Sequence, residues 1–261
     1  MSKIVSIATG VPEYEHHQRD IFEFADAVYN APGDERERRK LKFLYEHSGI
    51  NRRFSVMPDY SSSISDRQFY PQDKSLEPFP NLEKRMEWFA NNATNLSVKT
   101  IHDCIRGKIE PHEITHLVTV SCTGMSAPGL DLQVMEALKL PGNTWRTSVN
   151  FMGCYAAIHA LKIAHAICET TEGANVMIVC TEFCTLHFQK ENTIDNITAT
   201  LLFADGCAAL LMQDNRKQQH GLSITNFYSD VSFRGKADMS WLLSSKGFLM
   251  SLSGYVPDLL E

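Results

Sequence analysis

The sequence predicts an α/β domain built around a largely buried sheet, and three observations carry that expectation. From residue 82 onward, strand-length apolar runs alternate with helix-length amphipathic stretches, the order expected when helices cover a sheet. Within residues 175–180 the run Val-Met-Ile-Val is nearly continuous, as in a strand with both faces covered. The 261 residues, 43% hydrophobic and 21% charged, suffice for a sizeable core in one large domain or two intimate halves.

Residues 4–8 read as a short buried strand ended by Gly10 and Pro12. Residues 18–30 place Ile21, Phe22, Phe24, Ala25, Val28 and Tyr29 at helical spacing. A very charged helix is expected over 35–47, with Asp34 as its N-cap. The Ser-, Pro- and Asp-rich segment 55–81 predicts a long, mobile loop. A helix follows over 82–105, with Trp88, Phe89, Leu96, Ile101 and Cys104 as its buried stripe. Next come a strand at 116–122, a helix at 129–139, and a strand at 146–151 that runs into a helix. Beyond strand 175–180, two adjoining strands are expected at 201–203 and 207–212, around Ala204-Asp205-Gly206. Residues 220–228 alternate in strand fashion, and 255–260 begin another amphipathic segment.

The net charge of −6 gives no general basis for nucleic-acid binding. No stretch reaches membrane-spanning length. Seven cysteines are scattered without disulfide-type spacing, and no signal peptide is legible. A reduced, cytoplasmic enzyme is expected.

Chemistry centres on Cys154, which follows Asn150-Phe151-Met152-Gly153 and opens an apolar helical stretch. A thiol in the first turn of a helix faces unpaired backbone donors and the positive end of the dipole, which favour thiolate. Gly153 allows a sharp turn and leaves room for substrate at the sulfur. Cys180, Cys184 and His187 offer three ligand types where a structural zinc site wants four, so no metal is expected. No cysteine-protease signature surrounds Cys154.

Four stretches in register resemble type III polyketide synthases, the chalcone-synthase-like branch of the thiolase superfamily. They are Val120-Ser121-Cys122-Thr123-Gly124 with Pro128-Gly129, Gly153-Cys154-Tyr155-Ala156, Val179-Cys180-Thr181-Glu182, and Leu202-Phe203-Ala204-Asp205-Gly206-Cys207-Ala208-Ala209. The resemblance implies a thiolase-like layered αβαβα fold. Residues 1–213 would form the half that carries the nucleophile, and 214–261 the start of a second half that is incomplete here. The chain stops at Pro257-Asp258-Leu259-Leu260-Glu261, in what reads as the opening of a helix, so a missing C-terminal portion is expected.

By the same resemblance, Cys154 takes an acyl group from a CoA thioester and malonyl-CoA extends it by decarboxylative condensation, giving a pyrone or resorcinol-type product. CoA thioesters are then substrates and no further cofactor is needed. The family's histidine and asparagine lie beyond residue 261, and none of the ten histidines here sits in a matching motif. The chain alone is therefore expected to be inactive in condensation. Phe203 matches a gatekeeping phenylalanine, and Asp205 reads as a structural residue that fixes a turn. Cys122 falls among the substrate-binding positions. Thr123, Ala127 and Cys184 match positions that are small in members taking long fatty acyl starters. Lys40 matches one basic position at the CoA entrance, where Phe43 and His47 occupy two others. Arg39, Lys42, Arg52 and Arg53 are then expected to supply charge. A homodimer is expected by resemblance only. The rival readings are a ketoacyl synthase of the fatty-acid initiation class, a hydroxymethylglutaryl-CoA synthase-like enzyme, and a non-catalytic dimerisation module.

Overall fold

A computed structural model of the protein describes residues 2–30, 33–214, 216, 220–236 and 238–253. In chain order these form β1 (Ser2–Gly10), β2 (Tyr14–His17), α1 (Gln18–Tyr29), α2 (Glu35–Glu46), β3 (Arg52–Ser55), α3 (Leu82–Ile105), β4 (His116–Ser121), α4 (Leu130–Leu138) and β5 (Trp145–Asn150). Then come α5 (Ala156–Thr170), β6 (Asn175–Phe183), α6 (Ile194–Leu202), β7 (Asp205–Asp214), β8 (Leu222–Ser223), β9 (Met239–Ser244) and β10 (Gly247–Leu252). The amphipathic segment expected at 255–260 lies outside the described residues.

The chain divides into two compact units that interleave along the sequence. One comprises Met1–Val11, Phe89–Glu182 and Gly206–Asp230, and the other Pro12–Trp88, Phe183–Asp205 and Val231–Glu261. This division differs in kind from the sequential one expected at 213/214, which concerns halves of a longer fold.

The first unit is organised by a six-stranded mixed sheet in the order β5-β4-β6-β7-β1-β8. β4 pairs in parallel with both β5 and β6, whereas β1 is antiparallel to β7 and β8. Val118, Val120, Val149, Val176 and Ile178 pack against Ala156, Ala160 and Ala164 of α5, whose small side chains let the helix lie close to the sheet. On the other parity of β6, Thr181 bonds to Ser97 of α3 at 2.7 Å, so a second helix covers the opposite face. The expected buried sheet is thus present, and its edge strand β5 leaves Trp145 74% exposed.

In the second unit, α1 and α2 begin where expected and each ends one residue earlier, and the Asp34 side chain accepts the Glu37 N–H as N-cap. The segment expected to be a mobile loop is packed: Val56, Met57, Tyr60, Phe69, Tyr70 and Leu76 are all buried. Asp59 organises it, its carboxylate accepting the backbone N–H groups of Gln68, Phe69 and Tyr70.

Two strand expectations fail. Residues 201–203 close α6 rather than forming a strand, and Phe203 is its C-cap. The β-branched Ile194, Ile197, Thr198 and Thr200 suggest a strand locally. Thr193 caps the helix through Asn196 N–H, and the Tyr29 hydroxyl donates to the Gln189 and Asn196 carbonyls. Of residues 220–228, Leu222–Ser223 alone pairs, opposite Ile4 and Lys3.

Candidate functional site

Because β4, β5 and β6 run parallel, their C-terminal ends lie side by side, where ligand sites of α/β sheets are commonly built. β5 ends at Asn150, and Phe151 donates its N–H to the Ser121 carbonyl at the end of β4. The backbone then turns through two left-handed residues, Phe151 at φ 56° and Gly153 at φ 63°. For Phe151 that conformation costs on the order of 1 kcal/mol; Gly153 adopts it freely. The turn aims the chain into Gly153–Tyr155, a single 3-10 turn that leads directly into α5. Cys154 therefore sits two residues before the α-helix rather than in its first turn, at the helix mouth.

Among the seven cysteines Cys154 is exposed, while Cys104, Cys122, Cys168 and Cys207 are buried and Cys180 and Cys184 are half-buried. Burial pushes the Cys180 thiol up to about 12 and raises that of Cys122. The carbonyl of Gly153 accepts the Ala156 N–H and, at 3.8 Å, the Cys122 thiol. Cys122 thus braces the turn that presents Cys154.

Glu182, near the end of β6, draws this corner together. Its carboxylate accepts the Cys122 N–H at 2.8 and 3.0 Å and the Thr123 hydroxyl at 2.6 Å. Burial lifts its carboxyl to about 7, against the downward pull of these donors. Sequence reasoning assigned Glu182 no role. The available signal was an acid closing an otherwise apolar strand. Gly124 follows at a close approach, since a Cβ there would lie 2.1 Å from the Phe89 ring. Ala127, beyond it, is exposed. In the 3-10 turn before α5, Tyr155 accepts from Lys162 of that helix at 2.8 Å, which lowers its phenol.

Phe203, Cys184 and Lys40 belong to the second unit. Arg53 donates to the Phe203 carbonyl and to Gln18 Oε1, and Gln18 donates to the Leu201 carbonyl. The end of α6 is thereby pinned, and Phe203 with it. Arg53 was expected to face CoA phosphates; instead it is buried, because its guanidinium satisfies these carbonyls. Asp205 is buried and accepts from Val56 N–H, Thr185 N–H and the Thr185 hydroxyl, with burial raising it to about 6. Its structural reading fits that bonding. Phe203 and half-buried Cys184 line one small cavity of about 30 Å³. Lys40 is exposed and paired with Glu37 at 2.5 Å, Lys42 lies 3.6 Å from Glu46, and Arg52 lies 2.9 Å from Glu15. Arg39 donates to the Glu35 carbonyl, and His47 stacks on Phe43 with ring centroids 3.9 Å apart. His187, weighed above as a metal ligand, accepts the Phe248 N–H at Nδ1. No helix among the described residues is long and apolar enough to cross a membrane.

Residues 1–215 match the family described as chalcone and stilbene synthases, N-terminal domain. "Probable polyketide synthase 1" of Dictyostelium discoideum is 27% identical over 260 residues, 98% of this chain and 8% of that protein. "Alpha-pyrone synthesis polyketide synthase-like Pks18" of Mycobacterium tuberculosis is 30% identical over 219 residues, 83% of this chain and 52% of that one. The chain thus spans about half or less of the length of these two relatives. Among solved structures, PKS-I from the brown alga Ectocarpus siliculosus matches with a TM-score of 0.90 at 26% identity, covering 99% of this chain and 69% of that one. The expected thiolase-like fold is the one these synthases share.

Proposed function

The chain belongs to the chalcone and stilbene synthase family, and from that premise we propose that it works as a type III polyketide synthase whose acyl starter is loaded on Cys154. The observation that carries this reading is the one exposed thiol among seven, presented at the mouth of α5 by a turn that includes two left-handed residues. In the loading step, the Cys154 sulfur attacks the carbonyl of an acyl-CoA. The carbon–sulfur bond to CoA breaks, and CoA leaves as a thiolate that takes up a proton. Malonyl-CoA then loses carbon dioxide, and its enolate carbon attacks the Cys154 thioester. A carbon–carbon bond forms, Cys154 is released as thiolate, and the lengthened chain remains on CoA. In the family, decarboxylation depends on a histidine and an asparagine.

The starter is a fatty acyl group and the product a pyrone or resorcinol, a reading supported by the small side chains of Thr123, Ala127 and Cys184. Lys40 and its basic neighbours on α2 meet the CoA phosphates. A second copy is the partner, and the open edge of β5 is suited to receive it.

Incubation with acyl-CoA followed by intact-mass and peptide mass spectrometry tests the reading. One acyl adduct is expected on Cys154, and none in Cys154→Ala, whose fold alanine leaves intact. Adducts on other cysteines, or equal loading of the variant, would refute the nucleophile assignment.

A further inference from the structure

His16 is the inward residue of β2, 1% exposed, and the chemistry described so far does not use it. Its Nε2 lies 3.0 Å from the Met57 carbonyl and its Nδ1 lies 2.8 Å from Ser61 Oγ. These two contacts fix the tautomer. A carbonyl oxygen only accepts, so Nε2 carries the proton. Nδ1 of the neutral ring then holds a lone pair, and the Ser61 hydroxyl donates to it. Burial keeps the ring neutral by lowering its pKa. The Met57 carbonyl, Asp20 on α1 and Asp59 in the loop pull the other way, and Arg53 on β3 assists the burial.

A turn holds Ser61 in place for this contact. Its N–H donates to the Pro58 carbonyl at 3.2 Å, which closes residues 58–61. Beside it, Tyr60 meets the His16 ring edge-on at 5.6 Å and the Phe24 ring at 5.0 Å, so aromatic packing anchors the turn. Ser61 itself is exposed. A surface hydroxyl thus has a buried neutral imidazole behind it, and a carbonyl orients that imidazole. Nucleophile, base and orienting group follow one another at hydrogen-bond distance, the arrangement that activates a serine. The neighbouring serines bond differently. The Ser62 hydroxyl donates to the Pro58 carbonyl at 2.9 Å, and that of Ser63 to the Asp66 carboxylate at 2.7 Å.

We infer that Ser61 and His16 form a second reactive site, a serine nucleophile with its base, which takes small activated acyl esters from solution. Ser61 Oγ attacks the acyl carbon, and its proton passes to His16 Nδ1. The bond from the acyl carbon to the alcohol oxygen breaks, and the leaving oxygen takes that proton. Water then attacks the acyl-serine and gives a proton to Nδ1. The acid is released, and Ser61 regains its proton from the imidazole. An exposed serine offers a long chain little apolar wall, which favours small acyl groups. All the residues involved belong to the unit that does not carry Cys154, and the inference stands apart from the acyl-CoA reading.

A fluorophosphonate probe tests the site, because serines that have a base capture it. The full chain is labelled and the adduct is mapped by peptide mass spectrometry. One adduct is expected on Ser61, with none on Ser62 or Ser63 and none in Ser61→Ala. His16→Gln keeps a donor for the Met57 carbonyl but supplies no base, so labelling should fall about a hundredfold or more. In the native chain the labelling rate should fall as pH drops below 6.5 and His16 takes up a proton. p-Nitrophenyl acetate should be hydrolysed faster by the native chain than by Ser61→Ala. Equal labelling of Ser61, Ser62 and Ser63, an unlabelled native chain, or undiminished labelling of folded His16→Gln would overturn the inference. So would equal ester hydrolysis by the native chain and Ser61→Ala. A native labelling rate that stays flat on acidification would overturn it too, and that measurement needs no variant to fold.

Discussion

In the unit that carries Cys154, strands and helix meet through Val118, Val120, Val176, Ile178, Ala156, Ala160 and Ala164, none more than 3% exposed. In the other unit, buried charge holds much of the backbone. Asp59 accepts three N–H groups of a loop, Asp205 ties Val56 to Thr185, and Arg85, fully buried, donates to the carbonyls of Pro80, Leu186 and Phe188. The contrast has a simple cause. A sheet and its helices satisfy their own backbone, so apolar side chains suffice to bury them. Irregular segments bring unpaired N–H and C=O groups inside, and long polar side chains must answer them.

The largest expected effect tests that contrast directly. Asp59→Ala would orphan the buried N–H groups of Phe69 and Tyr70 and the part-buried one of Gln68, a loss on the order of 4 kcal/mol. Ile178→Ala, in the apolar unit, should lose about 3 kcal/mol through transfer and cavity terms. The sharper comparison is between near-isosteric changes. Asp59→Asn should cost more than Ile178→Val, for which about 1 kcal/mol is expected. Urea midpoints at constant slope give all four values. Should Asp59→Asn prove the cheaper of the two, the loop would be held by its aromatic residues and not by the carboxylate.

The same contrast explains what could be read from the chain. β1, β4, β6, α3, α4 and α5 follow their apolar periodicity, and Cys154 announces itself by a glycine turn and the small-residue helix after it. The end of α6 was misread as a strand at 201–203, because Leu201, Leu202 and Phe203 are apolar and the groups that hold the helix, Tyr29 and Gln18, lie far away in sequence. Segment 55–81 has loop composition and does form a loop, but nothing local tells that Asp59 closes it. Arg53 was placed at the surface by its charge and its neighbours, and its true partners, Gln18 and the Phe203 carbonyl, are likewise remote. At the candidate site, Glu182 needed the order of the parallel strands to be known before its bonds to Cys122 and Thr123 could be seen.

Glu182 also brings into the apolar unit the device typical of the other one, and its titration shows how far the likeness goes. An unfolded glutamate titrates near 4.5, whereas burial holds the native carboxyl at about 7. Between those values the native state binds more protons than the unfolded state, so stability falls as pH rises from about 4.5 to about 7 and levels off above. Glu182→Gln cannot titrate there. At the acid end it should lose about 1–2 kcal/mol, because its amide NH₂ must face one of the donors that the carboxyl oxygens accept. That deficit should shrink as pH approaches 7. Asp205→Asn offers the matching measurement in the other unit, with its window set between 3.8 and about 6. Two deficits that close in these two separate windows would show that each carboxyl is governed by its own burial. A Glu182→Gln deficit that stays constant from pH 4.5 to pH 7 would mean that Cys122, Thr123 and Ser121 hold the ionised form outright. The corner beside Cys154 would then be a fixed negative charge rather than a proton-sensitive one.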